Sequence, residues 1–206
     1  SSPEKGNGNA KCRRYARSRR LVRTSVSLKS EQMTSSLKRI TTEYIEPEDR
    51  IRLAGLTGDN QTVSIWLTMR LLKRLINHCL NLLDKNTPEL KTAPAQDEQS
   101  RKNMKNFLQQ SAEQQIVEEK KVTVTNDSPN HLAVEIDVKN NDDGVVLIFK
   151  GEFRPDCAIH LNNQQLRQWL AMLHMIWQKA EWPNLVWPDW MSSSSAETVP
   201  DLTSIH

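Results

Sequence analysis

Along this chain, stretches where apolar residues recur at every second position alternate with stretches where they recur every third or fourth. Residues 37–45 (LKRITTEYI) read as a short strand that stops at Pro47. The runs DRIRLAGLT and QTVSIWLT, rich in β-branched and apolar residues, flank Gly58, Asp59 and Asn60, which predicts a hairpin. In the second run Val63, Ile65 and Leu67 share one face, while Ser64 and Trp66 take the other. The period then changes. Leu71, Leu72, Leu75, Ile76, Cys79, Leu82 and Leu83 follow the spacing of a core-facing helix that runs to about Lys85. Thr68 is placed to cap it, and Arg70, Lys73, Arg74 and Asn77 fall on its wet side.

Residues 86–97 carry two prolines and few apolar groups, the composition of a linker. A helix over 98–119 follows, with a thinner stripe of Met104, Phe107, Leu108, Ala112 and Ile116, so most of its circumference is expected in water. Val122 and Val124 open a second β region. In it Leu132, Val134, Ile136 and Val138 alternate with Glu135, Asp137 and Lys139, the pattern of a half-buried antiparallel strand. The residues NNDDG at 140–144 make a turn, VVLIFKGEF continues as a strand, and CAIHL forms another after Pro155. Asn162 and Gln165 have the spacing of a reciprocal capping box. The helix they begin carries Leu166, Trp169, Leu170, Leu173, Ile176 and Trp177 on one face and ends near Ala180.

This pattern predicts an α+β fold of antiparallel β-meanders, each followed by a long amphipathic helix, packed as one domain over 33–190. Its halves would be 37–85 and 120–181, joined by the linker 86–97 and the helix 98–119. A shift of 94 residues aligns Ile65 with Ile159, Leu67 with Leu161 and Leu72 with Leu166, which reads as a degenerate internal duplication. Residues 191–206 read as a disordered tail.

Charge divides the 206 residues unevenly. Residues 1–29 hold nine Lys and Arg against one acid, Glu4, whereas the remainder holds 19 basic and 24 acidic residues. Residues 1–32 therefore read as a disordered basic arm, too poor in apolar groups to offset its chain entropy. The composition changes at Met33, which we read as the start of the body, with the segment before it as upstream or processing sequence. No apolar run approaches the roughly 20 residues of a spanning helix. Three cysteines, Cys12, Cys79 and Cys157, are a sparse and odd count that points to a reducing, cytoplasmic setting.

Signatures of catalysis are missing from the sequence: it contains no phosphate-binding Gly-rich loop, nucleophile elbow or H-E-x-x-H motif. Cys157 and His160 have C-x-x-H spacing, but no second close pair completes a metal site. Glu43, Glu46, Glu135 and Glu152 read as a solvated sheet face. No catalytic residue, metal ligand or cofactor is therefore assigned, and the chain is read as no enzyme.

Five of the six tryptophans lie between 169 and 190. Trp169 and Trp177 belong to the helical stripe. Trp182, Trp187 and Trp190 follow in a Pro-stiffened segment; packing back on the sheet would bury their rings, and left exposed they are the candidate partner-binding residues, since indoles are enriched at interface hot spots. The expected function is a protein–protein interaction or adaptor module that binds another protein or itself. The alternative is a single-stranded nucleic-acid binder. In element order, strands followed by a helix and then again, the chain resembles PUR- and whirly-type folds, and that resemblance implies phosphate contacts from Arg50, Arg52, Lys73 and Arg74.

Overall fold

The computed structural model describes residues 34–87, 98–141, 143–152, 155–192 and 204–205. The basic arm, most of the linker and much of the tail lie outside the described residues. The described residues form seven strands: β1 (Thr34–Ile45), β2 (Arg50–Thr57), β3 (Thr62–Leu67), β4 (Asn130–Asn141), β5 (Gly144–Gly151), β6 (Asp156–Asn162) and β7 (Ser204–Ile205). The helices are α1 (Met69–Asn86), α2 (Glu98–Gln114), α3 (Asn163–Lys179) and the short α4 (Asp189–Ser192).

Strands β1 to β6 close into a six-stranded barrel of mixed direction, in the order β1-β2-β3-β4-β5-β6 and back to β1. Pairing is antiparallel from β1 to β3 and from β4 to β6. The two seams are parallel and short. Ser64, Ile65 and Trp66 of β3 face Asn130, His131 and Leu132 of β4, and Thr34–Leu37 of β1 face Asp156–Ile159 of β6. This overturns the expected architecture of antiparallel β-meanders each followed by a long helix. Period-two alternation reports which side of a strand is buried. It carries no information on which distant strand lies alongside, so closure through two parallel seams was invisible to it.

Local chemistry explains most of the turns. Pro47 sits in a 3-10 turn, Glu46–Glu48, that ends at Asp49 in the left-handed region at φ 46°. The β2–β3 turn is held by the Thr57 hydroxyl, which donates to Asp59 Oδ1 at 2.6 Å, with Asn60 at φ 62°. Between β4 and β5 only glycine fits at position 144, because a Cβ there would lie 2.1 Å from the Leu161 carbonyl oxygen. Thr68 caps α1 by accepting from the Leu71 amide at 3.3 Å. The Asn162–Gln165 capping box opens α3 with both reciprocal bonds present. That helix closes in a Schellman motif: the Glu181 amide donates to Gln178 O at 3.0 Å and the Trp182 amide to Trp177 O at 3.2 Å, with Glu181 at φ 55°.

One buried cluster joins inward residues of the barrel, such as Ile51, Leu53, Ile65, Leu147 and Ile159, to the apolar stripes of α1 and α3. Deep in it the Trp169 indole donates to the Thr42 hydroxyl at 3.1 Å, so the ring's one polar atom is satisfied.

Two segments differ from the pattern reading. Residues 116–129 form no strand; Val122 is buried, its amide donating to the Thr41 hydroxyl at 2.8 Å, and the Pro129 carbonyl accepts from the Ser64 amide. On α2 the buried positions are Gln109 and Ala112, whereas Met104 and Phe107 are exposed. Its packing against α3 is polar: Gln109 donates to the Arg167 carbonyl, and Gln168 donates to that of Ala112. Within the expected tail, Met191 is fully buried and Ser204–Ile205 pair with Thr41 and Ile40.

Candidate functional site

The C-terminal indoles do not form an exposed patch. Trp182 and Trp187 are 7% and 6% exposed, and Trp190 is half-buried against the core. Trp177 stands at their centre, edge-on to Trp182 at 4.8 Å and to Trp187 at 6.0 Å. Trp182 is also edge-on to Tyr44 at 5.8 Å and donates to Asp49 Oδ1 at 2.7 Å. The same carboxylate oxygen accepts from the Tyr44 hydroxyl at 3.0 Å, so Asp49 ties the segment after α3 to the β1–β2 turn. Burial, together with the Asp49 carboxylate, holds the Tyr44 phenol above its ordinary pKa. His174 lies against Trp187 at 4.8 Å, and burial pushes its pKa down.

Of the four candidate nucleic-acid contacts, Arg50 and Arg52 lie on β2, which pairs with the strand that leads into α1. Arg50 lies 4.0 Å from the Glu48 carboxylate, and Arg52 pairs with Glu43 at 2.7 Å while sitting 5.8 Å from the Trp66 ring. Lys73 and Arg74 are on α1, and of the four only Arg74 lines the groove described below.

Cys157 and His160 fall on opposite faces of β6, Cys157 buried and His160 exposed, so their spacing makes no ligand pair. Among the described residues no three His, Cys, Asp or Glu side chains are grouped to hold a metal ion. His131 and Cys157 do meet, at a cavity of only about 10 Å³ that is lined also by Lys150 and Gly151. Burial lowers the His131 pKa and raises the Cys157 thiol to about 11, with the nearby Asp156 contributing. Such a thiol stays protonated near neutral pH and is a poor nucleophile. Cys79, on α1, is raised by burial to about 12.

What the structure does present is an open strand edge. Beyond Leu132, β4 leaves β3, and from Ala133 to Asn141 its only strand partner among the described residues is β5, while near its far end the Asn86 side chain at the end of α1 donates to that of Asn140 at 2.8 Å. Helix α1 runs beside this edge, and between them lies a groove of about 320 Å³. Leu71, Leu75, Ile136 and Val138 supply its apolar lining, with Arg74, His78 and Asp137 adding the polar groups. Just before it, Leu132 and Val134 are exposed on the outer wall, Val134 at the bulge where the β4–β5 register shifts. Pattern reading found each of these side chains on its own element. It missed the groove, because the signal for it is a neighbouring strand that is not there.

Compared with known proteins, the chain matches no family model and gives no significant match to a curated protein or to a solved structure. No helix among the described residues is long and apolar enough to cross a membrane.

Proposed function

We propose that this chain is a non-enzymatic protein-interaction module that engages a partner at the open edge of β4 beside α1. The observation that carries the reading is the unpaired edge itself. A row of backbone donors and acceptors next to an apolar groove is the arrangement into which extended segments add as a further strand. The non-catalytic part of the reading rests on chemistry: the small cavity that His131 and Cys157 both line has room for about a water, and the thiol is held protonated. A reducing, cytoplasmic setting belongs to the same proposal, supported by Cys79 and Cys157 being free and buried.

A photo-crosslinking residue at Val134 tests this in cells of the protein's origin, with Leu185, 94% exposed and on a different element, as the control position. Discrete adducts at 134 and not at 185 are expected. Equal yields at the two positions, or none at 134, would refute the reading.

Single-stranded nucleic-acid binding retains one supporting observation. An open groove of about 530 Å³ brings Arg101, Lys102 and Lys105 of α2 beside Trp190, the ring-and-cation pairing that stacks and neutralises a strand. Lys102 and Lys105 already pair with Glu98 and Asp84, which leaves Arg101 as the cation without a carboxylate. Salt-dependent binding of a labelled oligonucleotide, lost on Arg101→Glu, is the result that would favour this second reading.

A further inference from the structure

The groove beside β4 has a counterpart that the chain fills itself. Strand β1 uses one edge for β2; on the other it pairs with β6 only as far as Leu37. Further along that second edge, Ile40 and Thr41 are met by Ser204–Ile205, which add antiparallel as β7. Strand addition at an edge left open beyond a short parallel seam is thus a mode this barrel already uses. On β4 the equivalent stretch, Ala133–Asn141, has no such addition among the described residues.

The charges around the β4 groove indicate what would enter it. Arg74 lines the groove from α1, with exposed Arg70 one turn before it, and neither forms an ion pair among the described residues. Across the groove Lys139 is exposed at the far end of β4. The one carboxylate in the lining, Asp137, is held by Lys150 at 2.6 Å, with Glu135 on the same ammonium at 3.6 Å. One ammonium thus offsets only one of these two carboxylates, with exposed Lys139 beyond them, whereas Arg70 and Arg74 on the opposite wall have no carboxylate partner. Side chains of an added strand alternate in direction. One set would meet Leu71, Leu75, Ile136 and Val138; the other would stand at the rim beside Arg74.

From this we infer that the β4–α1 groove binds an extended acidic segment of a partner protein, with aliphatic and acidic residues alternating, as an added β-strand. The inference rests on the reading of β4 as a docking edge and names the chemistry of the ligand. Backbone bonds to β4 would provide affinity. The uncompensated α1 cations would select the acidic sequence and speed its encounter.

The test uses the full chain and acetylated octapeptides that alternate Val with Glu, Val with Ser, or Val with Lys, plus a Val/Glu peptide N-methylated at alternate amides. Binding is read by NMR shift perturbation and by titration at two ionic strengths. The Val/Glu peptide is expected to perturb the amides of Ala133–Lys139 saturably and to bind at least tenfold more tightly than the Val/Lys peptide. The N-methylated peptide should not bind, and Arg74→Glu should cost about tenfold. Arg74 is exposed, so that variant tests charge without threatening the fold. Binding that survives N-methylation, or perturbations elsewhere, would overturn strand addition. If Val/Ser or Val/Lys binds this edge as well as Val/Glu, the acidic specificity is refuted while the docking edge stands. If no peptide perturbs β4, the acidic ligand and the docking edge are both refuted.

Discussion

Replacing Trp182 by alanine separates a structural indole from a docking one. The ring is 7% exposed, meets Trp177 and Tyr44 edge-on, and its Nε1 donates to Asp49 at 2.7 Å. Truncating a buried Trp to Ala costs about 3–5 kcal/mol. Within that loss, a hydrogen bond to a carboxylate accounts for about 1.5 kcal/mol or somewhat more, and each edge-on ring pair for about 0.5–1.5 kcal/mol. An indole displayed on the surface for a partner would change stability by no more than about 0.5 kcal/mol. Since a domain's whole stability is about 5–15 kcal/mol, the two cases are well separated. The measurement is urea unfolding followed by far-UV circular dichroism, because fluorescence would lose part of its own signal with the residue. Trp182→Ala should lower the midpoint by an amount equivalent to at least 3 kcal/mol without changing the denaturant slope. Trp182→Phe, which keeps most of the buried ring but not the N–H, should cost about 1–2 kcal/mol. A Trp182→Ala variant within about 0.5 kcal/mol of the parent would show that the segment after α3 is not part of the core.

Two further outcomes follow from local geometry. Glu181 ends α3 in the left-handed region at φ 55°, where glycine is unstrained, so Glu181→Gly should stabilise by about 0.5–1 kcal/mol and raise Tm by about 1–3 °C, measured by calorimetry; a lower Tm would contradict the Schellman assignment. Burial holds the His174 pKa below its ordinary 6.5, so between those two values the unfolded chain binds more protons than the folded one. Its contribution to stability should be complete above pH 6.5 and decline as pH falls toward the folded value. His174→Phe should flatten part of that decline in urea midpoints between pH 7.5 and 5, and His131, whose pKa burial also lowers, contributes in the same direction; identical pH profiles for parent and variant would refute it.

How much of this molecule could be read beforehand depended on whether the governing forces were local. Thr68 followed by Leu72, Leu75, Ile76, Cys79 and Leu83 declares α1, because a cap and a 3.6-residue period are properties of one segment. Asn162 with Gln165, and Gly144 against the Leu161 carbonyl, are similarly self-contained. Pairing of Thr34 with Asp156, or of Ser64 with Asn130, involves residues whose own sequence neighbourhoods say nothing about each other. Val122 and Val124 looked like strand residues through β-branching, yet the Val122 amide is satisfied by a threonine side chain instead of a ladder. Gln109 lies off the apolar stripe of α2 and is nevertheless buried, its side-chain nitrogen donating to the Arg167 carbonyl while Gln168 donates to that of Ala112. After Pro183 no periodicity exists to decide which way an indole faces, and only its large apolar area points to the burial found for Trp187. The β4 groove was hidden for the converse reason: Ile136 and Val138 alternate as in any half-buried strand, and nothing in them reports that β3 has already turned away.

The pairing of Thr34–Leu37 with Asp156–Ile159 has a consequence for how the protein is made. A ribosome emits β1 long before β6, so the nascent chain must wait with its first strand unclosed until nearly the whole body has emerged. Ring closure is then a late event with a large loop to tie. During synthesis the free edge of β1 would be the surface most in need of a chaperone.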